Sequence, residues 1–121
     1  MNTESLTVFF PSADINVTKD YYHNILGLPI YKDLGNTVWF DTGYGYVAFV
    51  EYSPKRPPAS GMCISFNLPT KEDVDDMYDI LRGRDVIGLK EPPKKHPQFP
   101  VYSFFLSDPD GYTLEYQKTA D

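Results

Sequence analysis

Apolar and polar positions alternate along Leu6-Thr7-Val8-Phe9-Phe10, which predicts a strand ended by Pro11. The period then changes. Asp14 can cap a helix running to about Leu26, with Val17, Tyr21, Ile25 and Tyr22 as its apolar stripe and Gly27 just past its end. Short apolar runs separated by Gly35-Asn36 and Gly43-Tyr44-Gly45 predict strands over 29–32, 37–41 and 46–52. After the proline-rich segment Ser53-Pro54-Lys55-Arg56-Pro57-Pro58 the order restarts. Met62 to Leu68 reads as a strand, and Thr70 caps a helix with Val74, Met77, Tyr78 and Leu81 at helical spacing. A strand near Val86–Leu89 and a proline-rich loop lead to a hairpin in which Asp108-Pro109-Asp110-Gly111 joins two apolar runs.

The two halves repeat one pattern. When the first is slid onto the second, Val8 meets Ile64, Phe10 meets Phe66, Asp14 meets Thr70, Tyr22 meets Tyr78 and Ile25 meets Leu81. Each half closes on Gly-Tyr, apolar residues and Glu-Tyr, which pairs Glu51 with Glu115 after a change in loop length. The expectation is an α+β fold of two βαβββ modules, about 4–53 and 61–118, joined by a linker at about 54–60.

Strand alternation then sorts the side chains. Leu6, Val8 and Phe10, with Met62, Ile64, Phe66 and Leu68, should pack against the helices. Thr7 and Phe9, with Cys63, Ser65 and Asn67, should face the other way. Glu115 shares a face with Thr113 and Gln117, and Glu51 one with Val47 and Phe49. A carboxylate within a strand needs water, a partner or a metal, so Thr7, Glu51, Cys63 and Glu115 form a candidate site. Glu115 is the candidate proton-transfer group, since two carboxylates in one cavity repel and one pKa rises.

Composition narrows the function classes. The net charge of −6 argues against binding a phosphate backbone, which needs clustered Lys and Arg. No apolar run approaches the ~20 residues of a membrane span, and the N-terminus lacks the pattern of a signal peptide. Cys63 is the only cysteine, so no intrachain disulfide forms and a reducing, cytoplasmic setting is the simple expectation. Ten Tyr and eight Phe supply flat apolar surface, with Phe9, Trp39, Phe49 and Phe105 expected to line a cavity. The acidic run Glu72, Asp73, Asp75 and Asp76 reads as a helix first turn with a solvated face. His23 reads as a surface residue and His96 as part of a solvated loop.

The order of elements, the Tyr21-Tyr22…Ile25-Leu26-Gly27-Leu28 stretch and the Asp108-Pro109-Asp110-Gly111-Tyr112…Glu115 motif resemble the glyoxalase/bleomycin-resistance/dioxygenase group, the vicinal oxygen chelate superfamily. The resemblance implies two βαβββ modules forming a curved mixed sheet around a cavity that is completed within one chain or across a homodimer. It also implies metal ligands on the first and last strands of each module. Carried over, the two His positions fall on Thr7 and Cys63, the final carboxylate on Glu115 and the remaining ligand on Glu51. Thr is a poor ligand for a transition ion, and one Cys with two Glu is an unusual set. No metal is therefore predicted; a divalent ion, were it bound, would take Glu51, Cys63 and Glu115. The leading expectation is a binder of a small organic molecule, with Thr7, Phe9, Trp39, Phe49, Glu51, Cys63, Ser65, Phe105, Thr113 and Glu115 lining its site. A metal-dependent lyase, isomerase or dioxygenase, and a structural or regulatory dimer with a vestigial pocket, stand as alternatives.

Overall fold

Ladder pairing builds a sheet twice. The computed structural model describes residues 1–120 and divides into two compact units, residues 1–60 and Gly61 onward. In the first, β1 (Thr7–Pro11), β2 (Ile30–Asp33), β3 (Thr37–Asp41) and β4 (Tyr46–Val50) form a sheet of order β1-β4-β3-β2. In the second, β5 (Cys63–Asn67), β6 (Lys94–Lys95), β7 (Val101–Ser107) and β8 (Thr113–Thr119) form a sheet of order β5-β8-β7-β6. The first strand of each unit runs parallel to the last, and the other pairings are antiparallel. The result is two four-stranded mixed sheets in an α+β fold, with no closed barrel.

The first helix, α1 (Ile15–Lys19), starts where Asp14 Oδ1 accepts from the N–H groups of Asn16 and Val17. It continues as a π-helical turn over Asp20–Ile25, closed by Leu26 N–H donating to Tyr21 O at 2.9 Å. Both Tyr21 and Tyr22 are buried there. Val17, expected on the apolar stripe, is 48% exposed. Thr18 takes the inward place and is fully buried, because its hydroxyl pairs with that of Ser12 at 2.7 Å. Gly27 at φ +82 ends the helix as expected.

Beneath the helix, Tyr22 lies 4.5 Å from Phe49 and 5.4 Å from Phe40 between ring centroids, and Phe10 lies 5.9 Å from Phe49. Leu6 (66% exposed) and Val8 (41%) do not join this core, contrary to the expected apolar row. They lie at the outer edge of the sheet, where β1 has β4 as its sole neighbour, and the core begins at Phe10.

In the second unit α2 (Lys71–Gly83) is capped by Thr70, whose Oγ1 accepts from Asp73 N–H at 3.0 Å and donates to the Asp73 carboxylate at 2.8 Å. Val74 and Leu81 are buried, and Tyr78 packs edge-on against Phe104, which stacks on Tyr116 and through it on Phe66. The acidic first turns do more than meet solvent. Tyr102 donates its hydroxyl to Asp75 at 2.5 Å, a bond that ties helix to sheet and pushes the phenol pKa up to about 12.

Residues 86–89 form no strand; a single bridge joins Leu89 to Leu106. Gly88, at φ +90, breaks the extended run, and its carbonyl accepts from Ser107 N–H at 3.0 Å. The hairpin turn is held by Asp108, buried, whose Oδ1 accepts from the N–H groups of Asp110 and Tyr112 at 2.9 and 2.8 Å. Among the described residues no helix is long and apolar enough to cross a membrane.

Candidate functional site

Register decides which candidates share a face. In the first sheet Thr7 pairs with Tyr46, Phe9 with Ala48, and Ala48 with Trp39. Those residues therefore occupy the face turned away from the helix. Phe9 meets Trp39 edge-on at 5.4 Å, and Tyr46 lies 5.7 Å from Trp39. Tyr31 joins them, 4.4 Å from Tyr46, and the Lys32 ammonium sits 4.7 Å from the centre of the Trp39 ring. Tyr31, Lys32 and Tyr46 were not among the sequence candidates. A bulge between Ile30 and Lys32 turns Tyr31 and Lys32 toward one tryptophan, and no periodicity marks it. The Trp39 Nε1 is buried with no hydrogen-bond partner among the described residues. Such an atom is costly to leave unmet.

Two candidates belong elsewhere. Phe49, expected to line the cavity, pairs with Phe10 and Val38 on the helix side and is fully buried under Tyr22. Glu51, expected to face the site beside Thr7, follows the end of β4 on that same helix side. Its Oε1 accepts from Ile15 N–H at 2.9 Å, the first residue of α1, so the carboxylate is spent on the helix start.

In the second sheet Cys63 pairs with Thr113, Ser65 with Glu115 and Asn67 with Gln117, while Phe105 lies opposite Glu115 on β7. One face therefore carries Cys63, Ser65, Phe105, Thr113 and Glu115. Ser65 donates to Glu115 Oε1 at 2.8 Å and accepts from Gln117 Nε2 at 2.6 Å; Gln117 Oε1 in turn accepts from Thr119 at 3.2 Å. This chain of bonds fixes the carboxylate on a half-buried sheet surface. By ladder position, the counterpart of Glu115 in the first unit is Ala48 rather than Glu51. Each lies opposite the third residue of the unit's first strand, Phe9 in one and Ser65 in the other.

Cys63 is exposed as a residue, yet desolvation of its thiol against the sheet first, and the nearby Glu115 charge second, push the thiol up to about 11. At pH 8 the thiolate is then scarce, and alkylation of Cys63 should run roughly tenfold or more slower than that of a free thiol. Glu115→Gln removes the charge, lowers the thiol pKa and should speed alkylation. Equal rates in the two proteins would refute the coupling. Cys63 is the only cysteine, so loss of free thiol reads it directly.

Among the described residues no three His, Cys, Asp or Glu side chains form a set able to hold a metal ion. The donors do not suit a divalent ion: Thr7 is a neutral hydroxyl, Glu51 is engaged by Ile15, and Ala48, at the ladder position that matches Glu115, offers nothing. His23 Nδ1 meets Leu28 O at 2.8 Å on the surface. His96, expected in a solvated loop, is half-buried, and its Nδ1 accepts from the N–H groups of Gln98 and Phe99.

Comparison with known proteins gives the family. Residues 6–116 match the model of the Glyoxalase/Bleomycin resistance protein/Dioxygenase superfamily. No curated protein matches the chain. A glyoxalase/bleomycin resistance protein/dioxygenase from Nocardioides is similar in structure, with a TM-score of 0.79 at 16% identity over 100% of this chain and 85% of that one. A glyoxalase-related enzyme from Fulvimarina pelagi gives a TM-score of 0.77 at 13% identity, over 98% of this chain and 89% of that one. Lactoylglutathione lyase from Agrobacterium tumefaciens gives 0.76 at 17% identity, over 93% of this chain and 91% of that one. With the family model covering nearly the whole sequence and the ladders of both units in the order β1-β4-β3-β2 and β5-β8-β7-β6, the chain belongs to the glyoxalase/bleomycin resistance protein/dioxygenase superfamily.

Proposed function

We propose that this protein binds a small planar organic molecule by stacking, without a resident metal. The observation that carries the reading is the open aromatic face of Phe9, Trp39, Tyr31 and Tyr46, with Lys32 held over the Trp39 ring. A ring that already holds an ammonium accepts a ligand cation by displacing it. The net charge of −6 draws cations toward the protein. Within the second unit, Glu115, oriented by Ser65 and Gln117, is a separate hydrogen-bond acceptor on that unit's own polar face. The reading includes a homodimer, supported by the exposed Val8 on the edge strand β1 and the exposed Leu6 just before it.

Trp39 is the only tryptophan, so its fluorescence reports the face directly. Titration with planar aromatic cations such as acridinium or quinolinium should quench it saturably. Phe9→Ala should weaken binding by about fivefold, the worth of one lost aromatic contact. Quenching that never saturates, or that ignores Phe9→Ala, would overturn the proposal.

A further inference from the structure

The prolines before β6 leave a cavity in the second unit, chemically opposite to the Trp39 face. On the register set by Lys94 with Ser103 and Lys95 with Tyr102, Phe105 would face Pro92. Proline has no N–H to give. Instead Lys90 N–H donates to Phe105 O at 3.0 Å, and the ladder slips by two residues. Glu91, Pro92 and Pro93 fall in the slip. A pocket of about 460 Å³ opens there, lined by Lys90, Glu91, Lys94, His96, Phe105 and the rings of Pro92 and Pro97 among others. That volume suits a small organic ligand.

Its charge departs from the rest of the chain. Lys94 pairs with Glu91 at 2.7 Å, whereas Lys90 has no carboxylate partner among the described residues. The pocket thus carries one uncompensated cation in a protein of net charge −6. His96, in the pocket lining, adds a donor. With Nδ1 accepting two backbone N–H groups, at 3.0 and 3.2 Å, the ring proton sits on Nε2. Phe105 and the prolines provide apolar walls, and the single net cation matches a single negative charge.

We infer that this pocket binds a small aromatic monocarboxylate, its ring against Phe105 and its carboxylate at Lys90, Lys94 and the His96 imidazole. Every residue lining the site belongs to the second unit, whereas Trp39 belongs to the first. Isothermal titration of the intact protein with 2-naphthoate, 2-naphthamide and 2-naphthylmethylammonium tests it. The carboxylate should bind at least about tenfold tighter than the amide, because a charge-assisted bond is the stronger one. Lys90→Gln alters an exposed side chain and should leave the melting temperature unchanged while weakening 2-naphthoate binding by about tenfold. Trp39→Phe should leave that binding intact, and acridinium should not compete with it. Equal affinity for carboxylate and amide, indifference to Lys90→Gln, or loss of binding in Trp39→Phe would each overturn the assignment. Failure of the acridinium titration alone would bear only on the Trp39 face.

Discussion

Phe49→Ala should destabilise the protein by about 3–5 kcal/mol, the range for emptying a buried aromatic site. Phe49 is fully buried, with Tyr22, Phe10 and Phe40 around it at centroid distances of 4.5 to 6.1 Å. Three ring contacts are lost with the burial itself, and the neighbours hang from a helix and two strands, so the hole cannot close cheaply. For a chain of 121 residues the loss corresponds to a Tm lower by about 12–20 °C. Urea unfolding followed by circular dichroism gives the number. A ligand-lining residue would behave in the opposite way, with affinity falling and the unfolding midpoint barely moving. That outcome would return Phe49 to the binding face.

Gly88→Ala should cost about 2–4 kcal/mol, the sum of a strained backbone and an overpacked contact. At φ +90 a side chain is strained whatever the space, and here the space is also taken. A Cβ on Gly88 would lie 2.5 Å from the carbonyl oxygen of Ser107, a backbone atom that cannot swing aside. Moving either segment also stretches the bond from Ser107 N–H to Gly88 O. Gly83→Ala is the matched control. Gly83 closes α2 with nothing within 4 Å of its would-be Cβ, so the substitution should be neutral or stabilise by up to about 1 kcal/mol. Equal unfolding midpoints for the two variants would remove the steric account of why residues 86–89 do not form a strand.

Local chemistry was readable where a residue acts on its own neighbours. Asp14 and Thr70 cap as their side chains predict, Thr37–Asp41 is a strand to the residue, and Asp108 folds its turn through bonds spanning at most four positions. What depends on distant partners was not readable. Thr18 looks like a surface residue until Ser12 is seen to satisfy it. Glu51 resembles Glu115 in its sequence surroundings, yet the unequal loops of the two halves hide a register in which Ala48 stands opposite Phe9 as Glu115 stands opposite Ser65. That slip moves Glu51 to the helix side and carries Phe49 with it. The aromatic face was half visible: Phe9 follows from alternation and Trp39 was singled out by its aromatic character, whereas Tyr31 and Lys32 owe their place to a bulge. His96 sits in the loop as expected, but its two backbone bonds depend on a turn that proline content alone does not specify.

The stretch from 53 to 60 is exposed at every position and holds no helix or strand. Every ladder described above closes on one side of it or the other. A protease cutting there severs a tether and leaves each sheet with all four of its strands. The same stretch is where foreign sequence can be spliced in, since each doubling of a flexible connection costs only about 0.6 kcal/mol. An affinity tag or fluorescent reporter belongs at this point.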